Sequence, residues 1–73
     1  MDKQQDALRR LGSHLAAIRR QKDLSLTQLS TLTGLSSQEL SAIEAGELDP
    51  TITTLVALAR GLGLSPSELL PPE

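Results

Sequence analysis

Phenylalanine, tyrosine, tryptophan and cysteine are all absent from this chain of 73 residues. Without aromatic rings the core has to be aliphatic, and the base stacking used by single-strand binders is out of reach, which argues against RNA-binding modules. Without thiols there is no disulfide, no thiolate metal site and no cysteine nucleophile, a composition that fits a reducing compartment. The one histidine, His14, has no second His or Cys to complete a metal site and is read as a solvent-facing residue of its helix. Long apolar runs are missing as well. None approaches the roughly 20 residues of a membrane span, and the opening MDKQQDALRR is too polar for a signal peptide. A cytoplasmic protein with no membrane association, no metal and no cofactor is expected.

Apolar residues make up 38% of the chain and charges are interspersed among them, so the sequence reads as globular, one small domain over residues 1–73. At this size most of the apolar residues are needed for a single core. Net charge is -2, but the two ends differ in sign. Residues 1–22 carry Lys3, Arg9, Arg10, Arg19, Arg20 and Lys22 against Asp2 and Asp6. Residues 23–73 carry Arg60 alone against Asp23, Glu39, Glu44, Glu47, Asp49, Glu68 and Glu73. A basic face, if one forms, has to come largely from the first helix.

Leu8, Leu11, Leu15 and Ile18, with Ala7 and Ala16, recur at spacings of three and four, which predicts an amphipathic helix from about residue 3 to 22. Ser25-Leu26-Thr27-Gln28 fits a capping box, so a second helix starts at Leu26, carries Leu29 and Leu32 inward and stops at Gly34. Ser36-Ser37-Gln38-Glu39 repeats the box and opens a third helix that buries Leu40 and Ile43 before Gly46, with the Glu39 carboxylate facing the positive end of the helix dipole. Thr51 is the expected N-cap of a fourth helix carrying Ile52, Leu55, Leu58, Ala59 and Leu62, closed by Gly63. Ser65-Pro66-Ser67-Glu68 is a third box that opens one short turn through Leu70, ended by Pro71 and Pro72. Five helices and no strands are predicted. Capping accounts for the serines at helix starts, none of which has a histidine partner, so no enzyme is expected.

Two short helices joined by a tight glycine-containing turn, TQLSTLTGLSSQELSAIE, form a helix-turn-helix over about residues 25–45, whose second helix can enter a major groove. From Gly12 to Leu70 the chain also resembles the Cro/cI-like (Xre) helix-turn-helix family of bacterial and phage regulators. The resemblance rests on Gly12-Ser-His-Leu15, Ile18-Arg19, Leu24-Ser-Leu26, Leu29-Ser30, Gly34-Leu-Ser36, Leu40-Ser-Ala-Ile-Glu44, Gly46, Pro50, Leu55, Leu58-Ala59 and Leu62-Gly63-Leu64. A lone SxxxIExG is weak, but these elements in this order are specific. The resemblance implies a five-helix lambda-repressor-like DNA-binding domain. By position it implies that Ser37, Gln38, Ser41 and Ala42 face base edges, that the N-termini of the second and third helices approach phosphates, and that Arg19 and Glu44 form a buried or half-buried salt bridge.

The departures bear on affinity. Family members often carry Lys or Arg in the segment that here reads Glu47-Leu48-Asp49, and Arg at the positions of His14, Ala16 and Ala42. Phosphate contacts are left to the helix N-termini, to the hydroxyls of Ser25, Thr27, Ser36 and Ser37, and to Arg20 and Lys22. Fewer neutralised phosphates mean weaker non-specific binding and a shallower salt dependence. Gln38 is the strongest base-reading candidate, because its amide matches the adenine N6/N7 edge; Ser37 and Ser41 donate to several bases, and Ala42 either touches a thymine methyl or keeps the helix close to the groove floor. Leu62, Leu64, Leu69 and Leu70 supply more apolar surface than one terminal turn readily buries, which predicts a homodimer built there. Two readings of function stand side by side: a sequence-specific regulator of double-stranded DNA, binding as a homodimer to a two-fold operator, and a helix-turn-helix fold used as a protein-docking module or an antitoxin-like partner whose main contact is another protein.

Overall fold

The structure, a computed structural model, describes residues 3–72; Asp2 and Glu73, counted above in the charge of the two ends, lie outside it. Helix α1 spans Lys3–Gln21, α2 Leu26–Thr33, α3 Ser37–Glu44 and α4 Ile52–Leu62, and a 3-10 turn follows at Pro66–Leu69. No strand occurs among the described residues. The fifth element is therefore a single 3-10 turn rather than an α-helix. Pro66 has no N–H to donate, and Pro71 and Pro72 follow directly, so the element closes with short bonds such as those from the Glu68 and Leu70 amides to the Ser65 and Ser67 carbonyls and goes no further.

Local chemistry sets the helix boundaries. Ser25 Oγ accepts from the Gln28 amide at 3.0 Å while Gln28 Oε1 accepts from the Ser25 amide at 2.8 Å, a complete capping box. At α3 only half of the predicted box forms: Ser36 Oγ accepts from the Glu39 amide at 3.0 Å. Thr51 Oγ1 does the same for Thr54 at 3.1 Å. Gly34 closes α2 at φ 79, a left-handed conformation that side chains with a Cβ disfavour, and donates to Ser30 O.

Leu15, Leu29, Leu40, Ile43, Leu58, Ala59, Leu62 and Leu69 form one buried cluster, with Leu11, Ile18, Leu24, Leu26, Leu35, Leu55 and Leu64 packed around it. Leu40, Ile43, Leu58 and Leu69 are fully enclosed, each contributing about 1.5–3 kcal/mol relative to an exposed side chain. Helix α1 lies on α3, α2 packs on both α3 and α4, and the 3-10 turn closes the end of the core against α4 and α1.

Three expectations about side-chain placement need correction. Leu62 and Leu69, expected at a dimer interface, are 4% and 0% exposed and belong to the core, and Leu64 packs against it; of that set Leu70 alone is strongly exposed. Leu32 and Ile52, expected inward, stand 53% and 77% exposed. His14 is half-buried rather than solvent-facing: its Nε2 donates to the Glu68 carbonyl at 3.0 Å, and one turn earlier Arg10 donates to the Pro72 carbonyl at 3.1 Å. These α1 side chains fasten the C-terminal segment along the helix.

Candidate nucleic-acid interface

Helices α2 and α3 are joined by Gly34, Leu35 and Ser36, and the turn is tied from both sides. The Ser30 hydroxyl donates to Leu35 O, and the Thr33 hydroxyl donates to Leu29 O at 2.8 Å while accepting from the Leu35 amide at 3.2 Å. Such side-chain to backbone bonds replace the helical partners that the bend removes, and they fix the angle between the helices. Leu40 and Ile43, each 2% exposed, hold the inner face of α3 in the core.

The outer face follows from that anchoring. Gln38, Ser41 and Ala42 lie at offsets of three and four along α3 and so share one side. Gln38 and Ser41 are exposed, Ser37 and Ala42 half-buried. The side chains of Gln38 and Ser41 make no hydrogen bond among the described residues, leaving the amide and hydroxyl open to an outside partner. Ser25, Thr27, Ser36, Arg20 and Lys22 are all exposed. Arg20, Lys22, Ser25 and Thr27 gather where α1 gives way to α2, whereas Ser36 caps α3 beyond the turn.

Arg19 and Glu44 take no part in that outward surface. Arg19 Nε and one terminal nitrogen grip the Glu44 carboxylate at 2.7 and 2.9 Å, and its other terminal nitrogen donates to Leu24 O at 2.8 Å. Both side chains are 13% exposed. The Glu44 hydrogen bond raises the Arg19 pKa, burial lowers it and the Glu44 charge raises it further, leaving the guanidinium above its already high ordinary value. The charge of Glu44 is thus compensated within the fold.

Among the described residues no group of three His, Cys, Asp or Glu side chains could hold a metal ion, and no helix is long and apolar enough to cross a membrane. Two features escaped sequence reasoning. Gly12 is the point where the α1 backbone meets α3, and Arg9 lies over Gly46 at the end of α3. Both are contacts between residues distant in sequence, and nothing in the local pattern announces them.

Among the described residues the fold is all-helical, with a helix-turn-helix whose second helix has a polar outward face, which is the architecture of DNA-binding modules of the regulator type. The family profile described as Helix-turn-helix matches residues 15–69, and the chain belongs to that family. Its homologues are transcriptional regulators rather than enzymes. It is 40% identical over 67 residues to the uncharacterized HTH-type transcriptional regulator y4dJ of Sinorhizobium fredii, covering 92% of this chain and 87% of that one. With the HTH-type transcriptional regulator PuuR of Escherichia coli the identity is 40% over 78% of this chain but only 31% of the relative, so the match there is to one part of a longer protein. Among solved structures, the restriction-modification controller protein C.AhdI from Aeromonas hydrophila superposes with a TM-score of 0.84 at 30% identity, covering 86% of this chain and 96% of that one. An HTH_3 family transcriptional regulator from Vibrio cholerae gives 0.87 at 36% identity, over 92% of this chain and 38% of that one.

Proposed function

We propose that this protein is a cytoplasmic, sequence-specific transcriptional regulator that binds a two-fold DNA operator as a homodimer. The observation that carries the reading is the outward face of α3, where Gln38 and Ser41 stand exposed with free polar groups on a helix whose other side is locked into the core. Ser37 and Ala42 flank them. The hydroxyls of Ser25, Thr27 and Ser36, with Arg20 and Lys22, are assigned to phosphates. Selection of bound sequences from a random duplex pool at low salt tests the class: an enriched two-fold motif supports it. The exposed acids Glu47 and Asp49 favour a second reading, a module that docks on another protein, and a pool without enrichment moves the assignment there.

Gln38 is the reading residue in this proposal. A bidentate amide on adenine discriminates by about 1–3 kcal/mol. Gln38→Ala is expected to weaken binding to the selected operator by about 5- to 100-fold and to relax preference at one base pair per half-site, with affinity for scrambled duplex nearly unchanged. Titration of both duplexes checks this, and an operator affinity equal to that of the parent protein removes Gln38 from the role.

The homodimer is supported by the apolar residues the fold leaves outside. Leu70 shares a cleft with Ala7, Leu8, Leu11 and Asp49, and the loop that carries Asp49 also carries Leu48 and leads into Ile52. Leu48, Ile52 and Leu70 are 39%, 77% and 55% exposed, and they replace Leu62, Leu64 and Leu69 as the assigned contact residues. Ile52→Ser combined with Leu70→Ser is expected to convert a dimer to a folded monomer in sedimentation equilibrium, since neither residue is in the core. A parent protein that is monomeric at tens of micromolar rejects the dimer.

A further inference from the structure

Cations strengthen a phosphate-binding surface, and the loop that follows α3, Glu47-Leu48-Asp49, has none. The structure brings one there from elsewhere. Gly46 lies at φ 74 just beyond the end of α3, and a Cβ added to it would fall 3.0 Å from Arg9 Cα and 3.1 Å from Arg9 Cγ. Arg9, Gln5 and Leu8 of α1 face Ala45, Gly46 and Glu47 across one shallow cleft. Of the other basic residues, Arg10 is bonded to Pro72 O, Arg19 is paired with Glu44, Arg20 and Lys22 lie where α1 ends, Lys3 lies at its start and Arg60 is on α4. Arg9 is exposed and makes no hydrogen bond or ion pair among the described residues.

The position of Arg9 relative to DNA follows from the size of α3. Its eight residues span about 12 Å. A second helix of this kind contacts base edges through its N-terminal residues, so with Gln38 reading bases near the start the last residues of α3 lie about 9 Å farther along the axis, clear of those bases and nearer the sugar-phosphate backbone. The side chain packed beside that end is Arg9.

We propose that Arg9 is a phosphate-contacting residue of the DNA interface, supplying from α1 the cation that the loop after α3 lacks. The assignment rests on the DNA-binding reading above. It differs from a mere offset of Glu47, which lines the same cleft, because a contacting cation releases its own counterion from the DNA whether or not Glu47 is charged. It differs from a general effect of net charge because it depends on place.

The test is a set of salt titrations, from about 50 to 200 mM, on the selected operator and on scrambled duplex. Each phosphate contact contributes about 0.9 to the slope of log affinity against log salt. Arg9→Gln is expected to reduce that slope by about one contact per subunit and to weaken both duplexes alike, by about 3- to 10-fold at the lowest salt, while the thermal melt stays that of the parent protein. Arg9→Lys is expected to keep the slope. In a Glu47→Gln background the loss is expected to be the same; a loss that vanishes there overturns the contact in favour of simple compensation. Arg60→Gln removes the same charge from the end of α4, and an equal loss from it overturns the proposal too. If the parent protein binds neither duplex, the DNA reading itself fails, whereas parent binding with an unchanged Arg9→Gln slope rejects Arg9 alone.

Discussion

Gly12→Ala is expected to lower the melting temperature by about 10–20 °C. An alanine Cβ at this position would lie 2.5 Å from Ile43 O and 2.6 Å from Glu44 O, distances that a packed carbon never keeps. The obstructing atoms are backbone carbonyls, so no rotamer change relieves the clash and the two helices have to part. Parting them disturbs Leu15, Leu40 and Ile43, which are buried along the contact, and it moves the residue that holds the Arg19 pair. Overpacking costs about 1–3 kcal/mol where side chains can adjust and more, here about 3–5 kcal/mol, where two backbones have to part, against about 1 kcal/mol returned by the better helix propensity of alanine. A net loss of about 2–4 kcal/mol is the result, and each kcal/mol moves the melt of a domain this small by about 4–8 °C. Gly34→Ala is the control. It is strained by a φ of 79 but meets nothing within 4 Å, so its cost is confined to the backbone, about 1–2 kcal/mol. Thermal circular dichroism on both variants decides, and a Gly12→Ala melt no lower than that of Gly34→Ala means the helices do not approach this closely.

The contrast between these glycines marks how much of the molecule can be read along the chain. Gly34 ends α2 by its own conformation, and the Ser25–Gln28 box and the Thr51 cap start their helices by bonds that span only three residues, so all of them are legible locally. Gly12 acts through what lies across from it. Its sequence neighbourhood holds the same leucine spacing with or without a helix pressed against it, and only the fold supplies the carbonyls. Leucines pose the same difficulty in another form. Leu69 and Leu70 are adjacent and chemically identical, yet one is fully buried in the core and the other, 55% exposed, lies in an open cleft beside α1. An apolar side chain records that it avoids water without recording whether its own chain or a second copy provides the cover. For the same reason Ile52, which matches the apolar stripe of α4 by spacing, lies outside the core. The candidate interface was more legible than its surroundings: the caps fix where α3 begins, the buried Leu40 and Ile43 fix its rotation, and Gln38 and Ser41 have to point outward.

The segregation of charge along the sequence has a different meaning once the chain is folded. The ends differ in sign, but in the fold three arginines of α1 lie beside acids of α3 and of the loop after it. Arg19 reaches Glu44 directly, Arg9 shares a cleft with Glu47, and Arg10 shares one with Asp49. The acidic loop after α3 is therefore bordered by cations of α1, and the negative field there is weaker than the loop composition implies. This is how α3, with two glutamates and no Lys or Arg, stays compatible with the role proposed for it on a polyanion. Glu44 is neutralised within the fold, and Glu39 sits beside the positive end of α3.

Glu44→Ala is the second large loss expected, about 2–4 kcal/mol, or roughly 10–20 °C in the melt. Exposed ion pairs are worth under about 1 kcal/mol, and removal of one partner from a buried pair costs about 3–5. At 13% exposure for both side chains, with a bidentate grip at 2.7 and 2.9 Å, this pair lies nearer the buried end. Without Glu44 the Arg19 guanidinium keeps only its bond to Leu24 O and stands largely desolvated, so most of the loss comes from the cation left behind. That reasoning predicts a recovery: Arg19→Leu combined with Glu44→Leu removes both charges, fills the space with carbon and is expected to regain more than half of what Glu44→Ala loses. The sign of the Arg19 shift adds a pH expectation. A raised pKa gives stability that is complete below the ordinary arginine value and is lost only as pH climbs through the raised one, so Arg19 contributes the same stability throughout the neutral range and fades only in strong alkali. Added salt is expected to change the contribution little, because partly buried charges are weakly screened. Thermal melts of the single and double variants, repeated at high salt, measure each of these. A Glu44→Ala melt within a few degrees of the parent protein, or a double variant no more stable than the single one, would mean that α1 and α3 are held by their carbon contacts alone and that the pair contributes no more than an exposed one.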